Sequence, residues 1–563
     1  MERLKSKKLV IGIFGVVLML ALAGWLLASP SSAQGVRFER YMPAETVGFV
    51  QVNNLRAQAL KVINSEAWHA FTKENQAASS LFMMGANHAG ALDASYALAL
   101  IGTGTGADGQ PQPQFALIAE FNDRSAERVF ENRFMRVIKE SNEKGTTTKT
   151  EQYGKRTINV VGKEDRQSFA YAQSGTTLFL SNTVEAVKKV LDVGDGKAKS
   201  LEGSENFQQA RAKAGEDNGV FGFLDGAALT RLIDNAQGRD EGSINAFRQL
   251  FHGSGASAVQ SVAFTSNFVD GRVVERFAVV AQQGDAGLLS TLSNNPPSTR
   301  ALLALVPEDA LQAFDASIAS APQTFEQIES LVNAVAGQTG KKNFGDFLGE
   351  VSGKTGVDLR GDVVGALGAE ICLAQLPAGE DRSGVIILNL KDEARFAQTL
   401  EKLEGHKQLA ATVRDYKGIA VKQLTGEKGH ALNYAFVGGN FVASGDASAI
   451  ERVIDTAQGA RALPSNANYV AASATFTGGP QFVYFNSNAD YLNHLGRMLT
   501  SNGSEFKTTG QKAELPPSFA YGVSRPDGFY VESHTPLGTF PRLLTVVTSK
   551  LEGKKKEKEH ISE

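Results

Sequence analysis

The 563-residue chain has a single cysteine, Cys372, in the apolar run Glu370-Ile-Cys-Leu-Ala. One thiol excludes an intramolecular disulfide, and in that setting it reads as a small buried hydrophobe. No cysteine lies just after the N-terminal apolar stretch, so no lipid-modified terminus is expected there. A large excess of one sign of charge is missing too: 57 Lys and Arg against 60 Asp and Glu leave a net charge of -3. That balance provides no global basic field, and no nucleic-acid partner is expected. The histidines are His69, His88, His252, His406, His430, His494, His534 and His560. None stands four residues from another, so the zinc pattern His-Glu-x-x-His is absent, as is the Gly-x-Ser-x-Gly elbow.

Three near-motifs fail on their surroundings. Gly349-Glu-Val-Ser-Gly353-Lys354-Thr355 is one residue short of a phosphate loop, and the residues before it read as a helix, with Gly353 as its C-cap. Ile101-Gly102-Thr-Gly104-Thr-Gly106 is followed by Ala107-Asp-Gly-Gln-Pro-Gln-Pro, which cannot open the helix of a dinucleotide fold; a hairpin loop is expected instead. Ser141-Asn-Glu-Lys144 has the penicillin-binding spacing without that family's partner motifs. No catalytic, cofactor-binding or metal-binding residue is assigned, and no cofactor is expected.

What the sequence does contain begins at the N-terminus. Arg3, Lys5, Lys7 and Lys8 precede an uncharged apolar stretch from Leu9 to Ala28. About 20 such residues are what a helix needs to cross roughly 30 Å of hydrocarbon. Ser31-Ser32-Ala33 could serve as a cleavage site, so both an anchor through residues 9–28 and a long signal peptide are open. Either way the basic flank stays in the cytoplasm and the bulk is exported, which places the chain at a bacterial inner membrane or, after cleavage, in the periplasm. No second stretch of this kind occurs. Leu543–Val547 is too short to span, and the tail from Lys554 is a solvated mixed-charge end.

The most informative feature is an internal repeat. Tyr153-Gly-Lys-Arg-Thr-Ile, Phe169-Ala-Tyr171-Ala, Leu178-Phe-Leu-Ser181 and Val184–Asp192 recur as Tyr416-Lys-Gly-Ile-Ala-Val, Leu432-Asn-Tyr434-Ala, Phe441-Val-Ala-Ser444 and Ala447–Asp455. One offset of 263 takes Tyr153 to Tyr416, Tyr171 to Tyr434, Ser181 to Ser444 and Asp192 to Asp455. With small slips the match extends from Met42-Pro43 and Val306-Pro307 to Asp270-Gly271 and Asp527-Gly528. The expected organisation is an anchor or signal with a short linker at 1–35, a first module at 36–292, a linker at 293–299, a second module at 300–551 and a tail at 552–563.

Phe115–Phe121 and Val385–Leu390 read as buried strands, each followed by an amphipathic helix; in the first copy this helix carries Ala126, Val129, Phe130, Phe134, Val137 and Ile138. Short strands follow at Thr148–Tyr153, Arg156–Val161, Ser168–Ala172 and Thr177–Ser181, with a turn at Gly175 matched by Gly438. A closing helix starts at an N-cap, Asn182 or Thr183 in one copy and Asp446 in the other. The fold class expected is α+β, with two modules, each an antiparallel sheet with helices packed on one face.

The Met/Val-Pro-acidic start (Met42-Pro43-Ala-Glu45, Val306-Pro307-Glu-Asp309) and the block Phe169–Asp192 resemble a widespread bacterial family of exported proteins with no assigned function. The resemblance covers most of residues 36–551 and implies an envelope location, with no functional residues to carry over.

Function is therefore expected to be non-catalytic: an envelope protein whose modules bind a partner protein or an apolar, lipid-like ligand, with the concave face between sheet and helices as the default site. A rival reading is a hydrolase-type enzyme with its site between the modules, drawing on unrepeated residues such as His252, His494 or Asp490. A third is a structural or assembly subunit with exposed apolar patches.

Overall fold

The computed structural model describes residues 36–538 apart from several breaks, the longest at 74–93, 133–146, 282–293 and 489–514. The stretch Leu9–Ala28, much of the helix read over Ala126–Ile138, Ser141–Lys144, His494, Asp490 and the charged tail lie outside the described residues. No described helix is long and apolar enough to cross a membrane.

Twenty strands are described. The first ten are β1 (Gly48–Val52), β2 (Ala94–Thr105), β3 (Pro111–Phe121), β4 (Thr147–Tyr153), β5 (Arg156–Lys163), β6 (Arg166–Ser174), β7 (Thr177–Ser181), β8 (Val220–Asp225), β9 (Val259–Val269) and β10 (Arg272–Ala281). The second ten are β11 (Gln312–Ser317), β12 (Leu367–Ala378), β13 (Asp381–Leu390), β14 (Ala410–Tyr416), β15 (Ile419–Thr425), β16 (Ala431–Val437), β17 (Asn440–Ser444), β18 (Phe482–Asn486), β19 (Ser518–Arg525) and β20 (Gly528–Thr535). Their pairing is antiparallel throughout. The first ten run β4-β5-β6-β7-β3-β2-β1-β8-β9-β10. The second ten run in the same order, β14-β15-β16-β17-β13-β12-β11-β18-β19-β20. Strands β10 and β20 then pair with each other over Val273–Val280 and Gly528–Thr535, making one continuous sheet.

The local signals act as their chemistry requires. Gly175 and Gly438 take positive φ (64° and 57°) in their turns. Thr183 caps the helix Val184–Gly194 by accepting from the Ala186 amide, and Asp446 caps Ala447–Ala457 by accepting from Ser448. These two helices bury Val187, Val190 and Leu191, and Ile450, Val453 and Ile454, in the two largest cores. In both halves a tyrosine ties the outer hairpin to the helix end: the Tyr153 hydroxyl donates to Asp192 at 2.6 Å, and Tyr416 donates to Asp455 at 3.1 Å.

Two expectations are corrected. Helices cover both sheet faces, not one. Residues Phe49, Ala97, Ala99 and Phe179 pack under Val184–Gly194 and Glu205–Ala214, whereas Val50, Leu98 and Leu100, on the other side of the pleat, pack against Ala228, Leu229 and Leu232 of the helix Gly226–Asp234. Likewise Phe441 and Ala443 pack against Phe396 and Leu400 of Glu393–His406, opposite the Ala447–Ala457 helix. The near-motif glycines also shift role. Gly353 lies inside the helix Phe344–Thr355, and the residue past its end with positive φ is Gly356, whose amide reaches the Ser352 carbonyl. Gly102 and Gly104 lie within β2, beside a register shift, not in the hairpin loop.

Candidate functional site

Because side chains alternate along a strand, each half offers a second face to the pleat. In the second half, Phe314, Leu373, Ile386 and Tyr484 stand on the face opposite Cys372, Val385 and Val483. Together with Gln312, Gln375, Leu432 and Ser444 they line a groove of about 480 Å³. Its floor is apolar, and Gln312, Gln375 and the Tyr484 ring end supply the polar groups. Leu373, Ile386 and Leu432 retain 42%, 45% and 46% exposure, far more than the few per cent typical of the cores beneath them. Carbon surface left in water at that level is an unused binding contribution, at about 25 cal/mol per Å² when covered.

An aromatic row continues from the groove across the junction of the halves. Phe314 lies 5.8 Å from Phe482, Phe482 lies 6.1 Å from Phe529, and Phe264 and Phe277 stand at 4.6 Å. Gly522 makes room for this row: a Cβ there would fall 2.1 Å from the Phe482 ring.

On the reverse face, β10 and β20 bring together a charged cluster. Arg276 Nε donates to Glu532 Oε2 at 2.7 Å, the Tyr530 hydroxyl donates to the same oxygen at 2.6 Å, and His534 Nε2 lies 2.7 Å from Glu532 Oε1. The His534 ring stacks on Phe519 at 4.3 Å. Burial pushes the Glu532 carboxyl up, but the hydrogen bonds from His534, Arg276 and Tyr530 outweigh it and hold the group at about 2. Tyr530 is pushed up by burial and by the adjacent Glu532 charge. Each polar head in this cluster is engaged by another member, an arrangement suited to joining two halves. Tyr530 packs against both large cores.

Of the residues nominated for an inter-module enzyme, His252 alone is described, and it is not a member of this cluster. His252 sits on the helix Glu241–Gly253 and bonds Asp234 at 2.8 Å, while His494 and Asp490 fall outside the described residues. The junction residues were not singled out from sequence. Their signal is only the alternation Tyr530, Glu532, His534 along one strand face, which any half-buried strand could carry. Cys372 is fully buried, and burial raises its thiol well above the ordinary range, in keeping with a packing role.

A family model described as "Protein of unknown function (DUF3352)" matches residues 276–511, in keeping with a resemblance to proteins of unassigned function. No curated protein matches the chain. Among solved structures, two titled "Structure of crystal form III of TP0453" and "Structure of crystal form I of TP0453" each share 10% identity over 46% of this chain and 84% of theirs, with a TM-score of 0.24. A third, "Structure of crystal form IV of TP0453", shares 9% identity over 44% and 81%, with a TM-score of 0.23. Likenesses this slight bear on neither fold nor function.

Proposed function

We propose that this chain is a non-catalytic protein of the bacterial cell envelope, built from two copies of one α+β module, whose second copy holds an acyl chain in the groove over β11–β13. Residues 9–28 place it at the inner membrane, or direct its export if they are cleaved. The duplication is supported by the common offset of 263 between Tyr153 and Tyr416, Tyr171 and Tyr434, and Asp192 and Asp455, and by the shared strand order of the halves. The observation that carries the binding role is the groove itself. Its volume of about 480 Å³ falls in the roughly 300–1,000 Å³ range of small-molecule sites, and an apolar floor with a few polar groups suits a chain bearing one polar end. Each methylene transferred from water contributes about 0.8 kcal/mol, so a chain covering Leu373, Ile386 and Leu432 needs no charged anchor.

The test uses the full-length protein, extracted from membranes and stripped of lipid, titrated with a long-chain fluorescent fatty acid. Ile386→Asp is expected to weaken binding about tenfold or more, equivalent to about 1.4 kcal/mol, and Phe277→Asp, outside the groove, to leave it unchanged. Equal binding by wild type and Ile386→Asp, or no binding by wild type, would overturn the acyl-chain reading. Capture of a protein that Ile386→Asp abolishes, without fatty-acid binding, would point instead to the partner-protein role.

A further inference from the structure

We propose that Asp315, set beside Glu370, forms a proton-operated latch that fixes the segment Ser298–Arg300, which leads out of the first half, onto the second half and loosens when Asp315 ionises. This device is independent of the groove.

The geometry sets two acids around one hydroxyl. Ser298 Oγ lies 2.5 Å from Asp315 Oδ1 and 3.1 Å from Glu370 Oε1. A hydroxyl carries one proton and can satisfy only one of these carboxylates at a time. Glu370 Oε1 is otherwise well supplied: the Thr299 amide and hydroxyl each donate to it at 2.6 Å, and the Arg300 amide donates at 3.0 Å. Asp315 has no comparable support. Its residue exposure is 0%, and its Oδ2 has no hydrogen-bond partner among the described residues. A buried carboxylate oxygen without a donor is costly, and a proton on it removes the cost.

The groups facing Asp315 come from three elements: Ser298 and Arg300 on the segment, Glu370 and Cys372 on β12, and Tyr469 on the helix Ala467–Ser473. Burial raises the Asp315 carboxyl most, Glu370 adds to this, and Ser298 and Arg300 oppose it; the result is about 7. The sign follows from linkage. A carboxyl whose folded value lies above its ordinary 3.8 stabilises the fold fully at acid pH, and that contribution is lost as pH rises through about 7.

What the latch holds is strained. Arg300 takes φ of 58°, a left-handed conformation that a residue with a Cβ adopts at a cost, so its amide bonds to Glu370 and Ser298 have work to do. The first half lacks the device. By strand register Gln51 and Ser95 occupy the places of Asp315 and Glu370, both uncharged at any ordinary pH.

Hydrogen exchange on the full-length protein, corrected for intrinsic rate, reads the latch at the amides of Thr299–Ala301. Protection there is expected to fall about tenfold between about pH 6 and about pH 8.5, while the β1 amides hold constant. In Asp315→Asn the fall is expected to vanish. Should that variant fold poorly, Glu370→Gln leaves a single ionisable carboxyl and is expected to shift the response to more acid pH; infrared spectroscopy of the wild type is expected to show a protonated-carboxyl band that disappears through about pH 7. Flat wild-type protection, or a pH response that survives Asp315→Asn, overturns the proposal.

Discussion

The two halves use one strand order to reach different surfaces. In the first, the outward residues Leu98 and Leu100 lie beneath the helix Gly226–Asp234. In the second, the corresponding register positions, Leu373 and Gln375, border the groove. On the inner face the contrast is polar: Gln51 and Ser95 against Asp315 and Glu370. A shared backbone arrangement evidently constrains the inner aliphatic layer and the strand pairing, and leaves outward and polar positions free to diverge. That division is what a duplicated module with one specialised copy would display.

The largest effect that probes this comparison is in the cores. Phe223 and Phe485 occupy the same place in β8 and β18, and both are buried. Truncation to Ala at either position is expected to cost about 3–5 kcal/mol, and to lower the unfolding transition of the affected half. Chemical denaturation followed by a probe in each half checks this; a cost in one half and none in the other would break the equivalence.

A smaller effect tests how the halves are joined. Arg276→Met removes the cation from Glu532, leaving that carboxylate buried beside Tyr530 and His534. Breaking a fully buried pair costs about 3–5 kcal/mol; because the Arg276 side chain keeps 32% exposure, about 2 kcal/mol is expected here. The depressed Glu532 carboxyl stabilises the fold above its ordinary 4.5, and this contribution is lost as pH falls towards about 2. Acid titration of stability should therefore be shallower in Arg276→Met than in the wild type, and an unchanged acid limb would remove the junction cluster from the account.

Much of the strand framework was legible because its signals are local. Alternating residues in Arg156–Val161 and the turn glycines Gly175 and Gly438 mark a hairpin before any tertiary contact exists. Coverage of both faces was legible in principle and misread: Ala97-Leu98-Ala99-Leu100-Ile101 is apolar without alternation, the mark of a strand buried on two sides. The groove was not legible, since Leu373 and Ile386 lie in equally continuous apolar runs, and nothing local in the sequence marks which of the two faces borders the groove. The junction was hidden for another reason: Arg276 and Glu532 meet only because two strand edges far apart in the chain pair, and no local pattern specifies that choice.

The most direct measurement of the central claim is photolabelling of the full-length protein in its own membranes with a long-chain fatty acid carrying a diazirine, followed by peptide mapping. The account predicts label concentrated on the peptides holding Leu373, Ile386 and Leu432, reduced by unlabelled fatty acid and by Ile386→Asp. Label spread evenly over the surface, or concentrated on the first half around Leu98, would contradict it.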